Sequence, residues 1–188
     1  MKPGTRALGV AESFRRDRST LAGVVVSADR VVDGVEFSAC TVGGSDATDA
    51  IVDLWRGLDR EDVQYLLLAG VALAWFNVVD LATLASETER PVVSVTFEES
   101  EGLEPALRRE FSGDALAWRL GAYRTLPERR STTVNGETVY LRSVGIDHDE
   151  AVRIVEAYTP AGGRPEPVRV ARQAARAADD YVRRIRDA

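Results

Sequence analysis

Apolar and β-branched residues alternate with polar ones over Arg6–Ala11 and Leu21–Ser27, and again over Val35–Val42 after the turn pair Asp33-Gly34. A two-residue period predicts half-buried strands. Three in succession with short links read as an antiparallel meander. Beyond Gly43-Gly44 the period lengthens. Ala50, Ile51, Leu54, Trp55 and Leu58 recur at helical spacing behind a polar start, Ser45-Asp46-Ala47-Thr48-Asp49, in which Ser45 or Asp46 could cap. Val63–Leu68 is a continuous apolar run of the length of a strand buried on both faces. A helix over Val78–Ser86 and a β-branched strand over Pro91–Thr96 follow.

Downstream, Leu103–Phe111 and Ala115–Tyr123 read as helices, and Asn135-Gly136 between Thr132–Val134 and Glu137–Leu141 is a hairpin signal. Asp147–Tyr158 is an amphipathic helix, and a last one runs from Val168 to about Arg186 with Pro167 as its first residue. No repeat or long linker divides the chain, so one domain over residues 1–188 is expected. Val63–Val79 holds 17 residues without a charge, but Gly70, Gln64 and Asn77 interrupt it, so a buried strand entering a packed loop or helix start is expected rather than a membrane span. The start, Met1–Gly9, lacks an apolar secretory segment, and a cytoplasmic protein is expected. The order βββ-α-β-α-β predicts an α/β fold: a mixed sheet with an antiparallel meander and parallel crossover strands, flanked by helices. The ribonuclease H-like topology is among those it fits.

The 24 basic and 30 acidic residues leave a net charge of −6, which disfavours a surface that is basic throughout. The imbalance is local. The first hundred residues carry 9 basic and 16 acidic groups, the remainder 15 and 14, so a polyanion would meet the second half or a local arginine cluster. Lys2 is the one lysine against 23 arginines, which fits GC-rich coding, and a pI near 5.0 fits a salt-adapted cytoplasm. A single cysteine, Cys40, excludes an internal disulfide and a cysteine zinc cluster. His148, between Asp147 and Asp149 at a helix start, reads as solvated or capping, and neither glycine pair has the spacing of a nucleotide-binding loop.

What remains is carboxylate chemistry. Reactive groups of open α/β sheets gather beyond the carboxyl ends of the strands, where the chain has Glu12, Asp46 and Asp80. Three converging carboxylates would hold magnesium or manganese, which activates water and neutralises a phosphodiester. Each acid also has a plainer role: Glu12 as a surface residue, Asp46 as a helix cap, Asp80 as a first-turn acid. Arg15, Arg16 and Arg18 follow the first strand beside Phe14, a set suited to gripping phosphate and stacking on a base, or to a solvated loop balanced by Asp17. Arg164, Arg169, Arg172 and Arg176 surround the start of the last helix, where Arg169, Arg172 and Arg176 form a basic stripe. Trp55, Trp75 and Trp118 lie in apolar runs and are expected in the core.

Gly43-Gly44-Ser45-Asp46-Ala47-Thr48, Gly70-Val71, Trp75-Phe76-Asn77-Val78-Val79-Asp80, Pro91-Val92-Val93 and Gly163-Arg164-Pro165-Glu166-Pro167-Val168-Arg169-Val170-Ala171 together resemble the archaeal endonuclease dU family. That family is similar to endonuclease V. The resemblance implies an endonuclease V-like fold and a magnesium- or manganese-dependent DNA endonuclease acting at deaminated bases in DNA repair, with Glu12, Asp46 and Asp80 as catalytic, metal-holding acids. Phe14, Arg15, Arg16, Arg18, Arg164 and Arg169 would then bind nucleic acid. The family pattern places an aspartate where this chain has Ala11, and Asp-Gly where it has Gly43-Gly44 and Ala69-Gly70. Each change removes a strand-end carboxylate. Two functions therefore stand at this level: an endonuclease of lowered or lost activity, and a catalytically inactive nuclease-fold module binding nucleic acid or a protein. DNA is the expected partner, RNA or a second copy of the chain are the alternatives, and no membrane is expected.

Overall fold

The computed structural model describes residues 1–186, with the side chain of Arg15 left out of the description. The chain opens with the expected meander, β1 (Arg6–Arg15), β2 (Arg18–Ser27) and β3 (Val32–Thr41), and continues through α1 (Ala47–Leu58) into β4 (Val63–Leu68). A short ribbon, β5 (Ala72–Leu73) and β6 (Asn77–Val78), precedes α2 (Leu81–Thr88) and β7 (Val92–Thr96). Next come α3 (Glu104–Glu110), α4 (Gly113–Arg124), the hairpin β8 (Arg130–Val134) and β9 (Glu137–Val144), α5 (His148–Ala157) and α6 (Glu166–Arg186).

Seven strands form one sheet in the order β3-β2-β1-β4-β7-β9-β8. β1, β4 and β7 are mutually parallel at its centre, while β2, β3, β9 and β8 add antiparallel partners on both sides. This is the mixed sheet the pattern predicts. Alternation along the central strands decides what covers each face. Leu8, Val10, Leu66 and Leu68 point to one side and pack on Ile51 and Leu54 of α1 and Leu81 and Leu84 of α2. Ala7, Leu67, Val93 and Val95 point to the other and meet Ala151, Ile154 and Val155 of α5 and Val168 of α6.

Two local outcomes differ from the period-based expectation. β1 and β2 run on past the apolar stretch to a tight turn, with Phe14 paired to Ser19 and Arg15 to Arg18, because backbone pairing continues where the side chains are polar. The uncharged stretch after β4 becomes the β5–β6 ribbon, and among the described residues no helix is long and apolar enough to cross a membrane. The Asn135-Gly136 signal is realised, with both residues at positive φ (49° and 82°), as a two-residue hairpin turn requires.

α6 closes the sheet across β1. The contact is close: a Cβ built on Gly9 would lie 2.1 Å from the carbonyl carbon and 2.2 Å from the oxygen of Pro167. Only glycine lets the helix start sit there. Gly9→Ala therefore forces α6 away from β1, and overpacking against rigid backbone is expected to cost about 2–3 kcal/mol or more, roughly 5–10 °C in melting temperature for a chain of this size. Thermal unfolding followed by circular dichroism checks it, with Gly4→Ala as control, since nothing lies within 4 Å of a Cβ at that site.

Candidate nucleic-acid interface

β1 and β4 are adjacent and parallel, with Val10 opposite Leu68, so the next residues, Ala11 and Ala69, mark the sheet's central carboxyl end. The Ala69 N–H donates to the Val10 carbonyl at 3.0 Å. Ala11 is 1% exposed, and both alanines pack with Ala171 of α6 in an apolar cluster that includes Val24 and Val26. The two central positions thus present methyl groups where carboxylate oxygens could have stood, Ala11 wholly against the helix and Ala69 also at the edge of a cleft.

The three candidate acids are committed elsewhere. Glu12 follows Ala11 and so points to the opposite face, where one carboxylate oxygen accepts from the Ser19 hydroxyl at 2.6 Å and the Ala74 N–H at 2.7 Å. Asp46 does not cap its own helix through its side chain. It accepts instead from the Thr41 N–H (3.0 and 3.1 Å), the Thr41 hydroxyl (2.8 Å) and the Asn77 amide (2.7 Å). Asn77 takes over at the start of α1, its carbonyl accepting from the Ala47 N–H at 3.0 Å. Asp80 caps α2, accepting from the N–H groups of Ala82 and Thr83 at 2.9 and 3.0 Å.

Glu12 and Asp46 share one side of the sheet, where burial and the charges of both acids push the Cys40 thiol up to about 12. Asp80 is bound into its own helix. Among the described residues no three His, Cys, Asp or Glu side chains form a group able to hold a metal ion. Magnesium or manganese needs carboxylate oxygens converging on one point, with waters completing the shell; Asp46 and Asp80 spend theirs on Thr41, Asn77 and the first turn of α2, and this donor set does not fit such an ion.

These hydrogen bonds clamp a strained ribbon. Ala74, Trp75 and Phe76 link β5 to β6, and all three are left-handed, with φ of 43°, 57° and 64°. Each such residue costs about 1–2 kcal/mol. Glu12 holds the Ala74 N–H, and the Gly43 N–H donates to the Ala74 carbonyl at 2.7 Å. The turn lifts Trp75 to 45% exposure over Gly43. Its ring lies 5.1 Å from that of Phe111, and Phe76 meets Phe111 edge-on at 5.7 Å. Beneath them Arg119 of α4, 4% exposed, stacks on Phe111 (3.9 Å) and Trp118 (4.7 Å) and donates to the carbonyls of Gly43 and Ala115. Trp118 is 38% exposed. The expectation that all three tryptophans fill the core holds only for Trp55, which packs against the α1-side core. Backbone conformation, which an apolar run does not report, turns Trp75 outward.

A cleft of about 310 Å³ opens at the carboxyl ends of β4 and β7. Four arginines line it, Arg129, Arg142, Arg164 and Arg172, against a single acid, Glu98. Arg129 lies 3.9 Å over the Tyr140 ring and donates to the Thr96 hydroxyl at 3.1 Å. Arg142, where burial lowers the pKa, donates to the Tyr123 hydroxyl at 3.0 Å and to the Pro127 carbonyl. Arg164 stacks on Phe97 at 4.1 Å, and neither it nor Arg172 has an ion-pair partner among the described residues.

The structure thus brings Arg164 and Arg172 together but separates the other candidates. Arg169 is paired with Glu166, one of its contacts being 2.8 Å, and lines not the cleft but a neighbouring groove that it shares with Arg164. Arg16 and Arg18 stand at the tip of the β1–β2 hairpin, in a groove against Tyr181 and Arg183, and Phe14 is exposed nearby on β1. Arg15 ends β1, and its side chain lies outside the description. Arg129, Arg142, Tyr123 and Tyr140 went unnoticed in the sequence, where only the β9 hairpin signal hinted that this segment returns to the sheet.

The profile of the endonuclease dU family matches residues 3–179. A UPF0215 protein of Pyrobaculum calidifontis is 36% identical over 94% of this chain and 98% of its own length. Among solved structures, a protein of unknown function from Archaeoglobus fulgidus superposes with a TM-score of 0.82 at 28% identity, covering 93% of this chain and 98% of that one. Human endonuclease V gives 0.65 at 20% identity, covering 96% and 85%. Endonuclease V of Ciona intestinalis in complex with an inosine-containing DNA gives 0.60 at 12%, covering 95% and 87%.

The clamp carries a pH signature. Burial works to raise the pKa of Asp46, but the hydrogen bonds from Thr41 and Asn77 outweigh it and hold the carboxyl below the usual aspartate range. A depressed folded pKa stabilises above the unfolded value of ~3.9, and that stabilisation is lost as pH falls through the folded value. Asp46→Asn is expected to melt lower than the parent near neutrality, by about 1–2 kcal/mol. The gap should close on acidification below ~3.9, as melting temperatures between neutral and strongly acid pH will show.

Proposed function

The chain belongs to the endonuclease dU family, and from that premise and the geometry of its strand-end cleft we propose that it binds nucleic acid carrying a deaminated base without metal-dependent hydrolysis. One observation carries the reading. The carboxyl ends of the central strands offer arginines at the cleft and alanines at Ala11 and Ala69, so the site is built to attract a phosphodiester and lacks the oxygens that would hydrolyse it through a metal.

The four arginines differ in readiness. Arg129 and Arg142 are fixed by Thr96, Tyr140 and Tyr123, so little side-chain freedom is lost when a phosphate arrives. Arg164 and Arg172, whose donors are not spent on acids, supply the charge-assisted contacts. By contrast, Arg6 and Arg60 at the opposite end of the sheet are neutralised by Asp33 and Asp62. Endonuclease V of Ciona intestinalis, whose fold this chain shares, is known in complex with a DNA containing an inosine followed by a ribo-adenosine, which supports a nucleic acid with a deaminated base as the ligand.

A second reading keeps cleavage, with Glu12, Asp46 and Asp80 holding magnesium or manganese. It is favoured by the family and by the nearness of both Glu12 and Asp46 to Cys40.

Binding of a uracil- or inosine-containing duplex tests both. The expected result is affinity that falls steeply with salt, with Arg164→Ala and Arg172→Ala each flattening the logarithmic salt slope by about one. No nicking is expected with magnesium or manganese present. Metal-dependent nicks abolished by Asp46→Ala would establish the second reading instead.

A further inference from the structure

The aromatic cluster around Trp75 is unexplained by the binding reading above. Its construction is costly. Three consecutive non-glycine residues, two of them aromatic, sit in the left-handed region, and strain of this kind persists only where the surroundings impose it. The imposing groups are Glu12, through Ala74, and Asp46, through Asn77 at the foot of β6. The effect is to hold one indole ring outward over Gly43, where no side chain competes for the space.

The cluster is also electrostatically unusual. Arg119 is buried beneath the rings without a carboxylate partner among the described residues, and its Nε atom has no hydrogen-bond partner. A cation stacked on Phe111 and Trp118, with Trp75 against Phe111, leaves an electron-poor, flat and largely apolar surface on the far side of those two rings. Such a surface suits a heteroaromatic ring more than an aliphatic side chain.

Position supplies the occupant. The ribbon that carries Trp75 begins at Ala72, which lines the arginine cleft, and α4 runs from Trp118 in the cluster to Tyr123 in the cleft. Trp75 is three residues from Ala72 on the ribbon, at most ~11 Å of chain, roughly three stacked base steps at ~3.4 Å each. A strand whose phosphates lie in the cleft therefore places an adjacent base against the rings.

We propose that Trp75 and Trp118 form a stacking platform for an unpaired nucleobase next to the phosphate-binding cleft. The proposal rests on the nucleic-acid reading of that cleft. Glu12 and Asp46 act here as positioning residues that keep the platform raised. Stacking tolerates any base, so the platform adds affinity for single-stranded segments without sequence preference.

The experiment compares a single-stranded oligodeoxythymidine with an abasic strand of equal length, following binding by tryptophan fluorescence. The abasic strand keeps every phosphate and offers nothing to stack. The wild-type protein is expected to prefer the base-bearing strand about tenfold, with quenching of its emission. Trp75→Ala should abolish the preference while leaving the salt slope unchanged, and Trp75→Phe should restore most of it. Equal affinity of the wild-type protein for both strands, or a preference that survives Trp75→Ala, overturns the platform and leaves the cleft reading standing. Failure to bind either strand overturns both. If Trp75→Ala instead converts a dimer to a monomer in sedimentation and leaves strand affinity alone, the face joins copies of the chain and the platform is overturned.

Discussion

The working end of this molecule is held together by hydrogen bonds to two carboxylates. Asp46 joins the last residue of β3 to the ribbon through Thr41 and Asn77, and Asn77 in turn satisfies the first N–H of α1. Glu12 grips the ribbon from the central strand. The magnitudes balance. Three left-handed residues cost about 3–6 kcal/mol together, and hydrogen bonds to charged groups contribute about 1.5–3 kcal/mol each. Two such bonds reach the ribbon itself, from the Ala74 N–H to Glu12 and from the Asn77 amide to Asp46, and they offset the strain only while both acids stay in place.

The same commitment decides what the acids cannot do. A metal ligand needs free lone pairs directed at a common point, whereas those of Asp46 are taken up by Thr41 and Asn77, and Asp80 serves the first turn of α2. At the centre of the sheet the change from oxygen to methyl allows α6 to lie flat on Ala11 and Ala69. A carboxylate buried there against Ala171 would need a partner to offset its desolvation, and none of the apolar neighbours supplies one. Apolar packing and metal chemistry thus exclude each other at Ala11, whereas Ala69 also lines the arginine cleft.

Much of the architecture was legible because it rests on periodicity. β4 begins and ends where its apolar run does, and the Asn135-Gly136 hairpin and the meander appear where their signals stood. The candidate site was less legible for identifiable reasons. Asp46 sits at a helix start and reads as a cap, but the cap comes from Asn77, thirty residues away in sequence, and such distant exchanges leave no local trace. Arg142 and Tyr140 look like ordinary members of an antiparallel strand until β9 is known to pair with β7, which sets them at the carboxyl end of a parallel strand. Arg169 belonged to a basic stripe by spacing alone, and its bond to Glu166 three residues earlier removes its charge from use.

The close seat of α6 on β1 ties the first strand of the chain to its last helix. During synthesis β1 precedes α6, with its neighbours β2 and β4 between, so the face bearing Gly9 and Ala11 stays bare until α6 has been made. Contacts spanning nearly the whole sequence form late, because the entropy of closing so long a loop must be met first. A nascent chain of this protein therefore carries an uncovered sheet face until α6 has been made and can dock on β1.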